Sequence, residues 1–187
     1  MIAHSALSLA VGAARADERV TLVQSELQVN GDSDPGVFVS AQFDFDLPAA
    51  LRDAVDHGIA LYFVIDFELS RSRWYWFDQQ LVSTSIGYRL SYSPLTRQYR
   101  LARGGLAQPF ESLDEALATI RRVRDWRVAD AGLLAAADRD RYRARIRLRL
   151  DTSMLPKPFQ VDALTNRDWA LASDWSRLKL AADAANQ

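Results

Sequence analysis

After Asp17 the chain alternates apolar and polar residues in stretch after stretch, the two-residue period of strands that bury one face. Val20, Leu22, Leu27 and Val29 form the first stretch, with a break or bulge expected at Gln24-Ser25 and a turn through 30–36. In the second, Val37, Val39, Ala41, Phe43, Phe45 and Leu47 share one face, and Phe38, Ser40, Gln42, Asp44 and Asp46 the other. A third runs from Ile59 to Leu69. Its Leu61, Phe63, Ile65, Phe67 and Leu69 oppose Tyr62, Val64, Asp66 and Glu68, a pattern that suits a central strand.

Ile86, Tyr88, Leu90 and Tyr92 alternate up to Ser93-Pro94, and Tyr99 and Leu101 alternate after it, which predicts a β-hairpin turning at Pro94 and closed by Gly104-Gly105. Farther on, Tyr142, Ala144, Ile146, Leu148 and Leu150 interleave with Arg141, Arg143, Arg145, Arg147 and Arg149, a strand with one apolar and one arginine face. Phe159–Ala163 and Trp169–Leu180 are further strand candidates, the second with helix as an alternative. Pro156 and Pro158 are expected to forbid regular ladder pairing between them.

Two segments have helical signatures instead. Asp46-Leu47-Pro48 opens a short helix that buries Leu51, Ala54 and Val55 and stops at Gly58. Ser112 and Glu115 form a capping box that opens a second, with Leu113, Leu117, Ile120 and Val123 on one face and an end near Arg124 or Trp126. An Ala-rich run, 129–138, predicts a helical turn. The strands outnumber the helices, so the expected class is mainly β: a two-layer antiparallel sandwich, immunoglobulin-like or C2-like, with one or two helices covering an end or edge.

At 187 residues and 49% hydrophobic content the chain has the length and core of one domain, expected over 17–187. Residues 1–16 differ: Ile2–Ala14 is an apolar run free of acids, ending in Ala14-Arg15-Ala16 before Asp17, the form of a signal peptide with its cleavage site. It is too short to span a bilayer, and no later stretch is long enough. A periplasmic or secreted location is therefore expected. Basic and acidic residues number 23 and 24, which gives no global attraction to nucleic acid. The absence of cysteine removes disulfides and thiolate chemistry.

Candidate chemistry is sparse. His57, before Gly58, sits where a helix dipole favours a cation, so capping accounts for it without catalysis. Without cysteine and with so little histidine, neither the common zinc sites nor a conventional Ser–His–Asp triad is readily assembled, and no cofactor is expected. Asp44 with Asp46, and Asp66 with Glu68, lie two apart on strands, hence on one side and about 7 Å apart, a separation that paired-carboxylate glycosidases use. Ion pairs to the arginine strand, 141–149, explain the same residues as a solvated sheet face. Those arginines also suit docking of an anionic ligand, headgroup or acidic partner. Trp74, Tyr75, Trp76 and Phe77 are consecutive and cannot all face one core. With Arg71 and Arg73 they make either a bent strand end or an interface.

Trp74-Tyr-Trp-Phe-Asp78, Leu90-Ser-Tyr-Ser-Pro-Leu-Thr-Arg-Gln-Tyr-Arg100 and Leu155-Pro-Lys-Pro-Phe-Gln160 resemble the signatures of an uncharacterised family of exported bacterial proteins. Its members are described as a conserved domain of unknown function or as proline-rich signal-peptide proteins, often encoded beside a nitrogen-regulation-type sensor histidine kinase. The resemblance implies export and one domain, and assigns no catalytic residue. The expected function is thus a non-catalytic periplasmic binding or interaction module using Arg71, Arg73, Trp74, Tyr75, Trp76, Phe77, Arg145 and Arg147. Its expected partner is an envelope protein or a membrane sensor ectodomain. The alternatives are a hydrolase acting through Asp66/Glu68 or Asp44/Asp46, and a purely structural envelope protein that exposes no apolar patch at 71–78.

Overall fold

The computed structural model describes residues 20–30, 35–72, 78–134 and 141–179. The expected signal segment and Arg73–Phe77 lie outside the described residues.

The alternation becomes two antiparallel sheets. Strands β1 (Val20–Asn30), β2 (Gly36–Phe45) and β7 (Arg122–Ala129) form a three-stranded sheet in the order β1-β2-β7. Strands β3 (Leu61–Arg71), β4 (Gln79–Ser93), β5 (Gln98–Arg103), β6 (Leu106–Phe110), β8 (Tyr142–Leu150) and β9 (Ser176–Leu178) form a six-stranded sheet, in the order β6-β5-β4-β3-β8-β9. The apolar faces of the strands point between the layers, except in β6, which buries none of its residues. Val37, Val39, Phe43 and Phe45 meet Leu61, Phe63, Ile65, Phe67 and Leu69 in one core, all of them buried. Phe45 stacks on Phe63 across the layers at 6.1 Å, and Trp126 meets Phe67 edge-on at the same separation. The protein is therefore mainly β, a sandwich flanked by helices. Strand β3 is central as expected, paired on one side with β4 and on the other with β8.

Helix α1 (Ala49–Asp56) begins after Pro48 and buries Leu51, Ala54 and Val55, the predicted stripe. It ends as predicted at Gly58, whose φ of 86° is open to glycine without a side-chain clash; the bonds Gly58 N–H to Val55 and Ile59 N–H to Ala54 close the end. Helix α2 (Leu113–Ile120) opens on Ser112, whose hydroxyl accepts the Glu115 N–H at 3.2 Å. The expected bulge in β1 falls between Leu22 and Gln24, and the hairpin turn at Pro94 joins β4 to β5.

Several expectations need correction. Helix α2 stops at Ile120, and Val123 belongs to β7, where a bulge opposite Ser40 breaks the alternation and hides a strand behind helix-like spacing. Gly104 and Gly105, with φ of 55° and 87°, form the two-residue turn of a further hairpin into β6. Strand β4 starts at Gln79, seven residues before the expected alternation. Phe159–Ala163 lies in helix α3 (Lys157–Thr165), not a strand. Pro156 caps it and Pro158 sits in its first turn, where a missing N–H leaves no bond unmade. The segment 169–180 holds the end of a 3-10 turn, a bridge from Ala172 to Arg149, and β9. The Ala-rich run contains a 3-10 turn at Ala131–Leu133. Among the described residues no helix is long and apolar enough to cross a membrane.

Candidate functional site: the outer face of the six-stranded sheet

Residues directly opposite on neighbouring strands share a face, so register decides what the outer surface of the larger sheet presents. Asp66 lies opposite Arg147, Glu68 opposite Arg145, Val64 opposite Arg149 and Ser70 opposite Arg143. Arg177 on β9 lies opposite Arg145. On the other flank Arg89 lies opposite Tyr62, and Arg100 opposite Ser91. This face therefore carries arginines from β4, β5, β8 and β9, and those of β8 lie against the carboxylates of Asp66 and Glu68.

The carboxylates are engaged. Asp66 Oδ2 accepts from Arg147 Nε and Arg149 Nε, both at 2.9 Å, and Glu68 Oε2 accepts from Arg145 Nε at 2.7 Å. These are cross-strand ion pairs, and they account for Asp66 and Glu68 as part of a salted sheet face. Asp44 and Asp46 differ from expectation. Strand β2 ends at Phe45, because Leu47-Pro48 leads into α1, and Asp46 lies 3.8 Å from Arg121 at the end of α2 rather than facing the arginine strand. His57 caps α1, with Nδ1 2.8 Å from the Asp53 carbonyl. That bond raises its pKa above 6.5, aided by the Asp53 carboxylate.

Trp175 completes the network, and sequence reasoning missed it. The guanidiniums of Arg145 and Arg147 each lie 4.5 Å from the centre of its ring, which fixes both side chains through cation–π contact as well as ion pairing. Its signal in the sequence was weak, a tryptophan in a segment without clear period. The proposed binding residues Arg145 and Arg147 are thus held in place by Glu68, Asp66 and Trp175.

Arg143 and Arg177 are different. Both are exposed, and neither has a carboxylate partner among the described residues. With Arg145, Glu68, Ser70, Asp78 and Gln80 they line a groove of about 280 Å³. Ser70 and Asp78 flank, in the chain, the segment that carries Trp74, Tyr75, Trp76 and Phe77. Arg71, at the end of β3, lies opposite Tyr142 and Gln79, and Ser72 N–H donates to the Arg141 carbonyl at 2.8 Å. The end of β3 and the start of β4 thus meet the start of the arginine strand at one end of the sheet.

These features define a class: an antiparallel β-sandwich whose larger sheet has an arginine-rich outer face. The chain belongs to a family described as a domain of unknown function, DUF4390, whose model matches residues 21–179, nearly all of the described sandwich. The resemblance to an uncharacterised family is thereby shown. No curated protein and no solved structure matches the chain.

Proposed function

We propose that the protein is a non-enzymatic interaction module of the bacterial envelope, exported to the periplasm, which docks an acidic segment of a partner protein at the arginine-bearing end of its six-stranded sheet. The observation that carries this reading is the pair Arg143 and Arg177, exposed at a groove and without an ion pair among the described residues. Arg177 lies directly opposite Arg145, and like charges so placed on a sheet repel, a cost that Glu68 offsets through Arg145 alone. An incoming carboxylate removes that cost and gains bidentate geometry. The neighbouring Glu68–Arg145 and Asp66–Arg147 pairs with Trp175 supply a rigid base. The export-type N-terminal sequence supports the location, and an envelope protein or sensor ectodomain is the partner class it admits.

Charge reversal tests it. Tagged full-length protein and an Arg143→Glu/Arg177→Glu variant are crosslinked in intact cells, and the captured proteins and the mature N-terminus are read by mass spectrometry. A specific envelope partner is expected with the parent, weakened by salt and lost with the variant, while both proteins keep the same thermal melt. Equal capture by the two, or an uncleaved N-terminus with cytosolic contacts, contradicts the reading.

A further inference from the structure

The six-stranded sheet is wider than its partner layer, and its β4–β5–β6 end extends where another element must cover the inner face. Helix α2 does so in part, packing against β5, β6 and β7 with Leu113, Ala116, Leu117 and Ile120 buried. Between that helix and the sheet remains a groove of about 870 Å³. This is within the roughly 300–1,000 Å³ of small-molecule sites. It lies on the opposite side of the sheet from the arginine face.

Its lining is amphipathic. Leu106 and Ala118, both exposed, supply apolar surface, Leu106 at 82%, over a floor at Leu101, which is 4% exposed. Arg103, Arg122 and Arg124 also line it, and none of them has a carboxylate partner among the described residues. Arg103 instead lies over the Tyr88 ring, 5.5 Å from its centre, and donates to the Tyr88 hydroxyl at 3.4 Å. Tyr88 is only 3% exposed, so its hydroxyl is a fixed polar group in the wall. Having accepted from Arg103, that hydroxyl retains its own proton to donate. Beside Arg124, Asp125 has a φ of 46°, a left-handed conformation unusual for a residue with a side chain, at the bulge of β7. Bulges of this kind re-aim side chains at sheet edges, where β7 lies.

We infer that this groove binds a long-chain carboxylate, its acyl chain along Leu106 and Ala118 above the floor at Leu101 and its head group among Arg103, Arg122 and Arg124. The apolar surface selects against a small anion such as acetate, and the arginines, without carboxylate partners among the described residues, select against an uncharged lipid. The inference stands apart from partner docking at Arg143 and Arg177.

The test is fluorescence titration of the full chain with cis-parinaric acid and, separately, its methyl ester. Saturable one-to-one binding of the acid is expected, with the ester weaker by about ten-fold or more, the scale of one lost charge-assisted bond. An Arg122→Gln/Arg124→Gln variant is expected to weaken binding of the acid several-fold and to narrow its advantage over the ester. Ala118→Trp, at an exposed position on α2, is expected to block both ligands while the circular dichroism melt stays unchanged. Absence of saturable binding, equal affinity for acid and ester, or binding that neither variant alters overturns the inference.

Discussion

Asp66 accepts two guanidinium Nε–H groups on a single oxygen, and its side chain is 17% exposed, so its charge is largely withdrawn from water. Substituting Asp66→Asn leaves Arg147 and Arg149 facing a neutral amide, and a loss of about 1–3 kcal/mol of unfolding free energy is expected in urea titration. Glu68→Gln should cost under about 1 kcal/mol, because its partner Arg145 is half exposed and screened. Equal effects would show that burial does not set the strength of these pairs. His57 gives a pH-dependent prediction. Its pKa is raised by its bond to the Asp53 carbonyl, so its contribution to stability is present below 6.5 and lost as pH rises through the folded value. NMR titration should place the ring above 6.5, and His57→Ala should flatten that part of the stability profile. These residues were legible in the sequence because strand parity alone put Asp66 and Glu68 on the side facing arginines. Trp175 was not, since its position over Arg145 and Arg147 depends on a return of the chain that no local period announces.

At the scale of elements, the strands with unbroken alternation, β2, β3 and β8, followed their sequence closely, while β7 with its bulge and β6 behind the glycine turn did not. The bulge at β7 makes Leu113, Leu117, Ile120 and Val123 look like one helical stripe, although the chain changes from helix to strand at Arg121 and Arg122. Helix α3 buries none of its residues completely, and Phe159 packs instead on the Trp169 ring at 5.2 Å, so burial left little periodic signal. The C-terminal return has its own anchor. Ser173, 7% exposed, accepts the Leu148 N–H on its hydroxyl at 3.1 Å and donates its own N–H to the Leu148 carbonyl at 2.8 Å. Ser173→Ala removes the acceptor and leaves a buried N–H unpaired, and a loss of about 1–3 kcal/mol is expected in urea titration. A value near zero would mean that the Leu148 N–H finds another partner.

At the scale of the molecule, the near-neutral sum of charges conceals a division of labour. The inner faces hold one continuous core, and the outer face of the larger sheet concentrates arginine on a chain with 23 basic and 24 acidic residues. Composition alone therefore argued against a polyanion-binding protein without revealing a local basic surface, which required the register of β3, β8 and β9. The sandwich class was legible because both layers use the same two-residue period. The wide end of the sheet and its groove were not, because β6 and β7 were the strands the sequence concealed.

Partner docking at the Arg143–Arg177 end can be read out in place. The most direct measurement places a photo-crosslinking amino acid at Gln80, exposed in the groove, and at Leu95, 99% exposed in the turn between β4 and β5, in full-length protein in intact cells. A discrete adduct with an envelope protein from position 80, absent from position 95 and suppressed by Arg143→Glu/Arg177→Glu, is the predicted result. No adduct at position 80, or the same adduct from both positions irrespective of the arginines, would mean that no partner docks at this end of the sheet.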